Sequence, residues 1–128
     1  MRTVVVCWGL VGFVLSCSIL RAQEIKTPRE AAPVIAVLKA VNTSDVAGFR
    51  NAYSRPIRDD TGQSDWEKNL KDAQVNMKTL FGDYQLNDFS FTFSGDREKG
   101  KVTLFHKGRE AFPLSVIKEG DTWKVDER

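Results

Sequence analysis

The sequence has little of the chemistry that cysteine and histidine supply. Its 128 residues include only two cysteines and one histidine. Both cysteines, Cys7 and Cys17, lie within the first 23 residues. The rest of the chain therefore offers no disulfide, no cysteine nucleophile and no cysteine–zinc site. Any imidazole chemistry has to use His106.

An excess of charge of one sign is also missing after the first 23 residues. The chain has 19 Lys and Arg against 17 Asp and Glu, and its first 23 residues hold Arg2 and Arg21 but no acid. The remainder is formally neutral, which gives no electrostatic reason to expect nucleic acid or an anionic membrane as a partner.

Sequence motifs for cofactors and metals are equally scarce. There is no phosphate-binding glycine loop, serine elbow, His–Glu metal motif or dinucleotide fingerprint, so we predict no cofactor. Asp59, Asp60 and Asp65 are acidic neighbours, but they lack the fixed spacing of a calcium loop. We interpret them as a solvated turn and predict no metal.

The start of the chain is typical of an export signal. Arg2 precedes an apolar run from Val4 to Leu15, and small residues follow. We predict that residues 1–22 are a removable signal peptide and that residues 23–128 form one domain. A retained single-span anchor is the alternative.

Two processing sites compete within this leader. Val14 to Cys17 resembles a bacterial lipobox, in which case Cys17 would carry a lipid, while Leu20 to Ala22 resembles a leader-peptidase site. We expect an exported protein that is either periplasmic or extracellular, or else a membrane-anchored lipoprotein. Its only expected contact with a membrane is through the leader or a lipid on Cys17.

Hydrophobic periodicity predicts three helices in the first part of the domain. Thr27 and Glu30 fit a capping box before the first helix, and Pro33 is expected to bend it. A second capping box, Ser64 to Glu67, precedes the third helix, and Gly82 is placed to end it. That third helix has apolar residues at alternating steps of four and three, at Trp66, Leu70, Ala73, Met77 and Leu80. The predicted helices span about residues 28–42, 44–53 and 65–81, with a brief edge strand and loop over 54–60.

After Asp83 the apolar period changes from 3.6 to 2, which predicts strands. Phe89, Phe91 and Phe93 alternate with small polar residues, and glycine-containing turns separate the later apolar sets. The predicted strands span about residues 86–94, 100–107, 110–118 and 121–126. Helices first and an antiparallel meander last indicate an α+β fold with one face of the sheet packed on the helices.

This order of elements resembles the nuclear transport factor 2-like superfamily, which includes the ketosteroid-isomerase-like and SnoaL-like proteins. The likeness covers about residues 27–127, and is carried by a helix pair over 27–53 with its break at Asn42 to Asp45, and by the final hairpin from Phe112 to Val125. The 115–125 segment looks like the closing hairpin of small secreted members of unknown function. The resemblance implies a cone-like curved sheet around a pocket, and the superfamily contains isomerases, dehydratases, polyketide cyclases and non-catalytic modules.

His106 is the main candidate for catalysis. Its strand parity places it with Val102 and Leu104 on the core or pocket face, where it could act as a base. The interpretation that we favour is a strand-end histidine whose ring lies in solvent. The resemblance also implies a carboxylate base paired with a tyrosine, for which the chain offers Tyr53, Tyr84, Asp83 and Asp88 without a positional match to the enzyme motif.

The aromatic residues could line an apolar ligand pocket, although a packed core is the interpretation that we favour for them, and a cone leaves room for both. The residues predicted to line the pocket are Tyr53, Trp66, Phe91, Leu104, His106 and Leu114. We therefore predict a non-catalytic envelope module that binds a small apolar ligand or a protein partner. A small lyase or isomerase with His106 or an aspartate as base is the alternative. A homodimer is a third expectation, because parity places Phe105 on the outer face of the sheet.

Overall fold

The computed structural model describes residues 27–128, and it is an α+β domain of helices followed by a four-stranded antiparallel sheet. The predicted leader, its two predicted processing sites and the predicted lipidation at Cys17 fall on residues outside the described range. No helix among residues 27–128 combines the length and the apolar character needed to cross a membrane. The helices are α1 Ala32–Thr43, α2 Val46–Asn51, α3 Arg55–Asp60 and α4 Gln63–Phe81, and the strands are β1 Phe89–Gly95, β2 Lys99–His106, β3 Arg109–Glu119 and β4 Thr122–Val125.

The first helix begins later than the sequence pattern predicts. A 3-10 turn at Arg29–Ala31 precedes α1, and no side chain caps either segment, so the predicted capping box at Thr27 is wrong. Pro33 consequently lies in the first turn of α1, where a missing backbone donor costs nothing. The predicted bend at this proline is therefore unnecessary. The helix ends at Ser44, which has a left-handed φ of 55°.

The segment after α2 is helical, and the predicted edge strand there is wrong. Asp45 caps α2 by accepting a hydrogen bond from the Gly48 amide at 3.0 Å. Only Tyr53 pairs with a strand, through an isolated parallel bridge to Val125. Pro56 then lies in the first turn of α3, a position that favours helix formation.

The long helix α4 confirms the third predicted helix and its end at Phe81, but it begins two residues earlier than predicted. It begins at Gln63 after Gly62 without a side-chain cap, so the predicted Ser64 capping box is wrong. Trp66, Leu70 and Met77 are buried as the stripe predicts. Leu80 is 62% exposed, which removes it from the predicted core. Gly82 ends the helix with φ of 66° and donates to Lys78 O at 2.8 Å, as predicted.

The sheet is the predicted meander, with strand order β1-β2-β3-β4. Its first strand starts at Phe89, because residues 86–88 form a 3-10 turn. Phe91 lies opposite Leu104, and Val102 lies opposite Leu114, so the inner face is apolar across the central strands. The register shifts between Leu104 and Phe105 of β2, which pair with Phe112 and Glu110 of β3, so the extra residue, Ala111, lies on β3 and bends that strand.

The core consists of two adjoining clusters between the sheet and the helices. One joins residues of α1, α2 and α4 to the inner face of the sheet and includes Phe49, Trp66 and Leu104. The other lies under the start of α1 and includes Val34, Val102 and Val116. Tyr53 packs against both clusters, which places it where the helices meet the final strand.

Candidate functional site

One surface cavity contains two of the residues predicted to bind a ligand. It has a volume of about 440 Å³ and opens between α2, α3, α4 and the last two residues of the chain. We call it the aromatic cavity, because three aromatic rings form part of its wall. Its lining residues are Phe49, Tyr53, Ile57, Thr61, Trp66, Asn69, Asp72, Ala73, Asn76, Glu127 and Arg128.

The three rings of the aromatic cavity hold each other in place. The centroids of Phe49 and Tyr53 are 5.4 Å apart, and those of Phe49 and Trp66 are 5.7 Å apart, both in edge-to-face contact. Tyr53 and Trp66 are 5.2 Å apart with a tilted geometry. Such contacts stabilise aromatic groups beyond simple burial. The wall is therefore preformed, as small-molecule sites usually are.

Trp66, one of the residues that line the aromatic cavity, carries a buried and unused hydrogen-bond donor. Its side chain is buried, and its Nε1 has no hydrogen-bond partner among residues 27–128. Buried polar groups in proteins nearly always have a partner, since an unmade hydrogen bond costs about 1–3 kcal/mol. A ligand or water with an acceptor atom that reached this nitrogen would recover that free energy.

Tyr53 is neutral at physiological pH in this setting. Burial raises the pKa of its hydroxyl above the ordinary value, and the nearby carboxylate of Glu127 adds to the effect. The residue is fixed by its backbone, because its carbonyl accepts a hydrogen bond from the Arg58 guanidinium. It therefore presents a protonated phenol, which can donate a hydrogen bond but cannot serve as a base at neutral pH.

The final residues of the chain are tied to the segment after α2. The backbone of Ser54 donates to Val125 O at 2.8 Å, and the Val125 amide donates to Ala52 O at 2.8 Å. The buried Ser54 hydroxyl also donates to Asp126 Oδ1 at 2.6 Å. Glu127 is held from the sheet side, where its carboxylate accepts from the Ser115 amide at 2.5 Å. These bonds set the side of the cavity that the C-terminus provides.

The polar side of the aromatic cavity comes mostly from α4, and its residues were not among those predicted to line the pocket. Asn69, Asp72 and Asn76 line the opening, and the step pattern from 69 through 72 and 73 to 76 places them on one helix face with Ala73. That face lies beside the apolar stripe, so helical spacing was the available signal. Glu127 had no comparable signal, because only tertiary pairing brings the C-terminus here.

His106 lies on the inner face of the sheet, so the solvent-exposed interpretation of its ring is wrong. The ring centroid is 4.7 Å from that of Phe81 and 5.1 Å from that of Phe89. Its Nε2 is 4.0 Å from Asp88 Oδ2, and this nitrogen has no hydrogen-bond partner among residues 27–128. Asp88 Oδ2 instead accepts a hydrogen bond from the backbone N–H of Gln85 at 2.9 Å. The pair is close enough for attraction if the imidazole is protonated, but it does not share a hydrogen bond.

The other predicted pocket residues are distributed through the core. Leu104 is 1% exposed, and Phe91 packs beside it against both clusters. Leu114 packs against the cluster that contains Val102. Tyr53 and Trp66 line the aromatic cavity, whereas Phe91, Leu104, Leu114 and His106 are not among its lining residues.

The remaining candidate residues either pack against other aromatic rings or lie exposed on helices. Tyr84 makes edge-to-face contacts with Phe81 and Phe89, with centroids 6.3 Å and 5.4 Å away. Asp59 and Asp60 lie exposed in the last turn of α3, and Asp65 is exposed in the first turn of α4. Within residues 27–128 there is no group of three His, Cys, Asp or Glu side chains placed to hold a metal ion.

Comparison with known proteins found no family model, no curated protein and no solved structure that matches this chain.

Proposed function

We propose that this protein is an exported, non-catalytic binding module whose aromatic cavity takes a small, mainly apolar ligand with a hydrogen-bond acceptor. The observation that carries the proposal is the buried Trp66 Nε1, which lacks a partner among residues 27–128, in a wall of three mutually packed rings. Apolar contact would supply affinity, while the indole and the neutral phenol of Tyr53 would orient the acceptor. Export rests on the leader pattern of residues 1–22.

We assign the domain to the nuclear transport factor 2-like cone on the order of its elements. What supports this proposal is the order of two helices, a long helix and a four-stranded antiparallel meander. The small strand expected before the long helix is represented only by the isolated bridge at Tyr53, and the short helix α3 follows it. The irregularity between Leu104 and Phe105 supports a curved sheet, since bulges bend the strand that contains them.

A neutral fluorescent probe, Nile red, tests the cavity without knowledge of the natural ligand. Ala73 lines the cavity and is half-buried, so the larger side chain of Ala73→Leu should fill part of the cavity. We expect saturable binding of Nile red by the wild type and a loss of about tenfold or more in Ala73→Leu. Ala111→Leu is the matched control, because Ala111 is exposed on β3. Circular dichroism confirms that each variant is folded.

The result that would overturn the binding proposal is equal affinity for Nile red in the wild type, Ala73→Leu and Ala111→Leu. Mass spectrometry of the native protein from its host envelope adds an independent measurement. A small molecule that is retained by the wild type and lost from Ala73→Leu would identify the ligand. The same spectrum reports the mature N-terminus and any lipid on Cys17.

Lyase or isomerase activity is the second candidate, favoured by the proximity of His106 to Asp88. Their 4.0 Å separation could place a general base beside a carboxylate that steadies its protonated form. The ring lies between Phe81 and Phe89, however, and it is not part of the aromatic cavity wall. His106→Gln should leave Nile red binding unchanged if the module only binds. Loss of a measured turnover in this variant, with binding retained, would establish the enzyme instead.

Self-association is a third candidate, favoured by apolar side chains on the outer face of the sheet. Phe105 and Ile117 are half-buried there, and Pro113 is exposed opposite Thr103. Association through this face would cover Phe105 further. Sedimentation velocity at micromolar concentration is the test, and a homodimer should dissociate in Phe105→Ser. A wild type that sediments only as a monomer would contradict a homodimer.

A further inference from the structure

A second and larger cavity lies on another side of the domain. It has a volume of about 740 Å³ and runs between the start of α1, the α2 helix and the turn that joins β3 to β4. We call it the cationic groove. Its lining residues are Arg29, Ala32, Pro33, Ala36, Gly48, Asn51, Ala52, Lys118, Asp121, Thr122, Trp123 and Lys124, and none of them lines the aromatic cavity.

The side of the groove formed by the helices contains several small apolar groups beside Arg29 and Asn51. Ala32, Pro33 and Ala36 come from successive turns of α1, and Ala52 follows α2. Across the groove, Trp123 is half-buried and fixed by an edge-to-face contact with Phe93, whose centroid is 5.5 Å away. Short side chains on one side and an indole on the other leave room for an extended apolar chain.

The groove also has an excess of positive charge. Arg29, Lys118 and Lys124 line it together with a single acid, Asp121. Within residues 27–128 no carboxylate lies within 4.0 Å of any of these three cationic groups. Lys124 is held in place, because its Nζ donates to Asn51 O at 2.6 Å. The domain is neutral as a whole, so the positive charge of the groove is a local excess.

We propose that the cationic groove binds a monomeric amphipathic carboxylate, with its alkyl chain along the α1 side and its head group near Lys118 and Lys124. The apolar lining accounts for the chain, and the unneutralised ammonium groups account for the carboxylate. The volume is within the range of small-molecule sites. This assignment does not depend on the aromatic cavity, since the two cavities share no lining residue.

Isothermal titration calorimetry with decanoate tests the assignment on the protein isolated from its host. Decanol is the uncharged comparison ligand, and the double variant Lys118→Gln/Lys124→Gln removes the two ammonium groups. The matched control is Lys99→Gln/Lys101→Gln, because both lysines are exposed on β2 and neither lines the groove. We expect decanoate to bind about tenfold more tightly than decanol, and the groove variant to lose about tenfold while the control stays within about twofold.

Ala36→Leu tests the apolar side of the groove, because the larger side chain fills part of the groove while the lysines remain. It should weaken decanoate and decanol by the same factor, with an unchanged circular dichroism spectrum. If this variant does not fold, Ala32→Leu replaces it, since Ala32 is exposed in the first turn of α1.

Anionic lipid in a membrane also has a negatively charged head group beside alkyl chains. Binding to vesicles distinguishes a membrane lipid from a monomeric ligand. The protein should not co-sediment with phosphatidylglycerol vesicles if the ligand is a monomer. Co-sedimentation that depends on Lys118 and Lys124, without measurable decanoate binding, would overturn the proposal. Equal decanoate affinity in the groove variant and its lysine control would also overturn it.

Discussion

Trp66→Ala is expected to destabilise the domain strongly. The side chain is 2% exposed, and burying an aromatic group of this kind removes roughly 200 Å² from water, or about 5 kcal/mol at about 25 cal/mol per Å². Its two ring contacts, with Phe49 and Tyr53, add about 1 kcal/mol each. The unpaired indole nitrogen offsets about 2 kcal/mol, and the alanine that remains recovers a little more.

The net loss in the free energy of unfolding should be about 4 kcal/mol, within the usual range of about 3–5 kcal/mol for this kind of substitution. For a domain of roughly 100 residues, that corresponds to a fall in Tm of roughly 15–30 °C. Circular dichroism is the assay, because it does not depend on the fluorescence of the residue that is removed.

Val75→Ala is the matched control on the same helix, because Val75 is 64% exposed and should change stability by less than about 0.5 kcal/mol. A loss below about 1 kcal/mol in Trp66→Ala would refute the packing described for this residue. Equal losses in the two variants would refute it as well, since only one of these side chains is buried.

Three further predictions concern the sheet, the C-terminal tie and the phenol. Gly100→Ala should lower the free energy of unfolding, measured by urea denaturation, by about 1–3 kcal/mol, because its Cβ would meet the backbone and a ring of β1. Gly62→Ala should lower it by less than about 1 kcal/mol, because its Cβ has room and only the preference for glycine at the start of α4 is lost; equal effects would contradict this. Ser54→Ala should lower the free energy of unfolding by about 1–2 kcal/mol, because the hydrogen bond from the Ser54 hydroxyl to the Asp126 carboxylate is lost. A decrease below about 0.5 kcal/mol would count against that hydrogen bond. The raised pKa of Tyr53 means that its contribution is complete below about pH 10 and falls as pH rises further, because the unfolded chain releases the proton first. The urea midpoint should therefore fall more steeply above about pH 10 in the wild type than in Tyr53→Phe, and parallel curves would disprove the coupling.

Sequence patterns predicted structure correctly where the residues of a single helix or strand determine it. The α4 stripe, the glycine that ends it and the alternation along β1 and β2 were readable, because helical and extended chains repeat at fixed periods. The helix over 55–60 was missed because Pro56 suggests a break, although proline is favoured in a first turn. Leu80 fits the stripe by spacing but lies at the end of α4, where it is exposed.

The sequence by itself determined the α+β order, the inward parity of His106 and the meander, since each follows from neighbours within a few residues. Only the tertiary structure decided which side chains share a cavity. Tyr53 and Trp66 meet because the bridge from Tyr53 to Val125 and the hydrogen bond from Ser54 to Asp126 close the C-terminus onto α3 and α4. Periodicity assigns a residue to a face, but it carries no information about which distant segment covers that face.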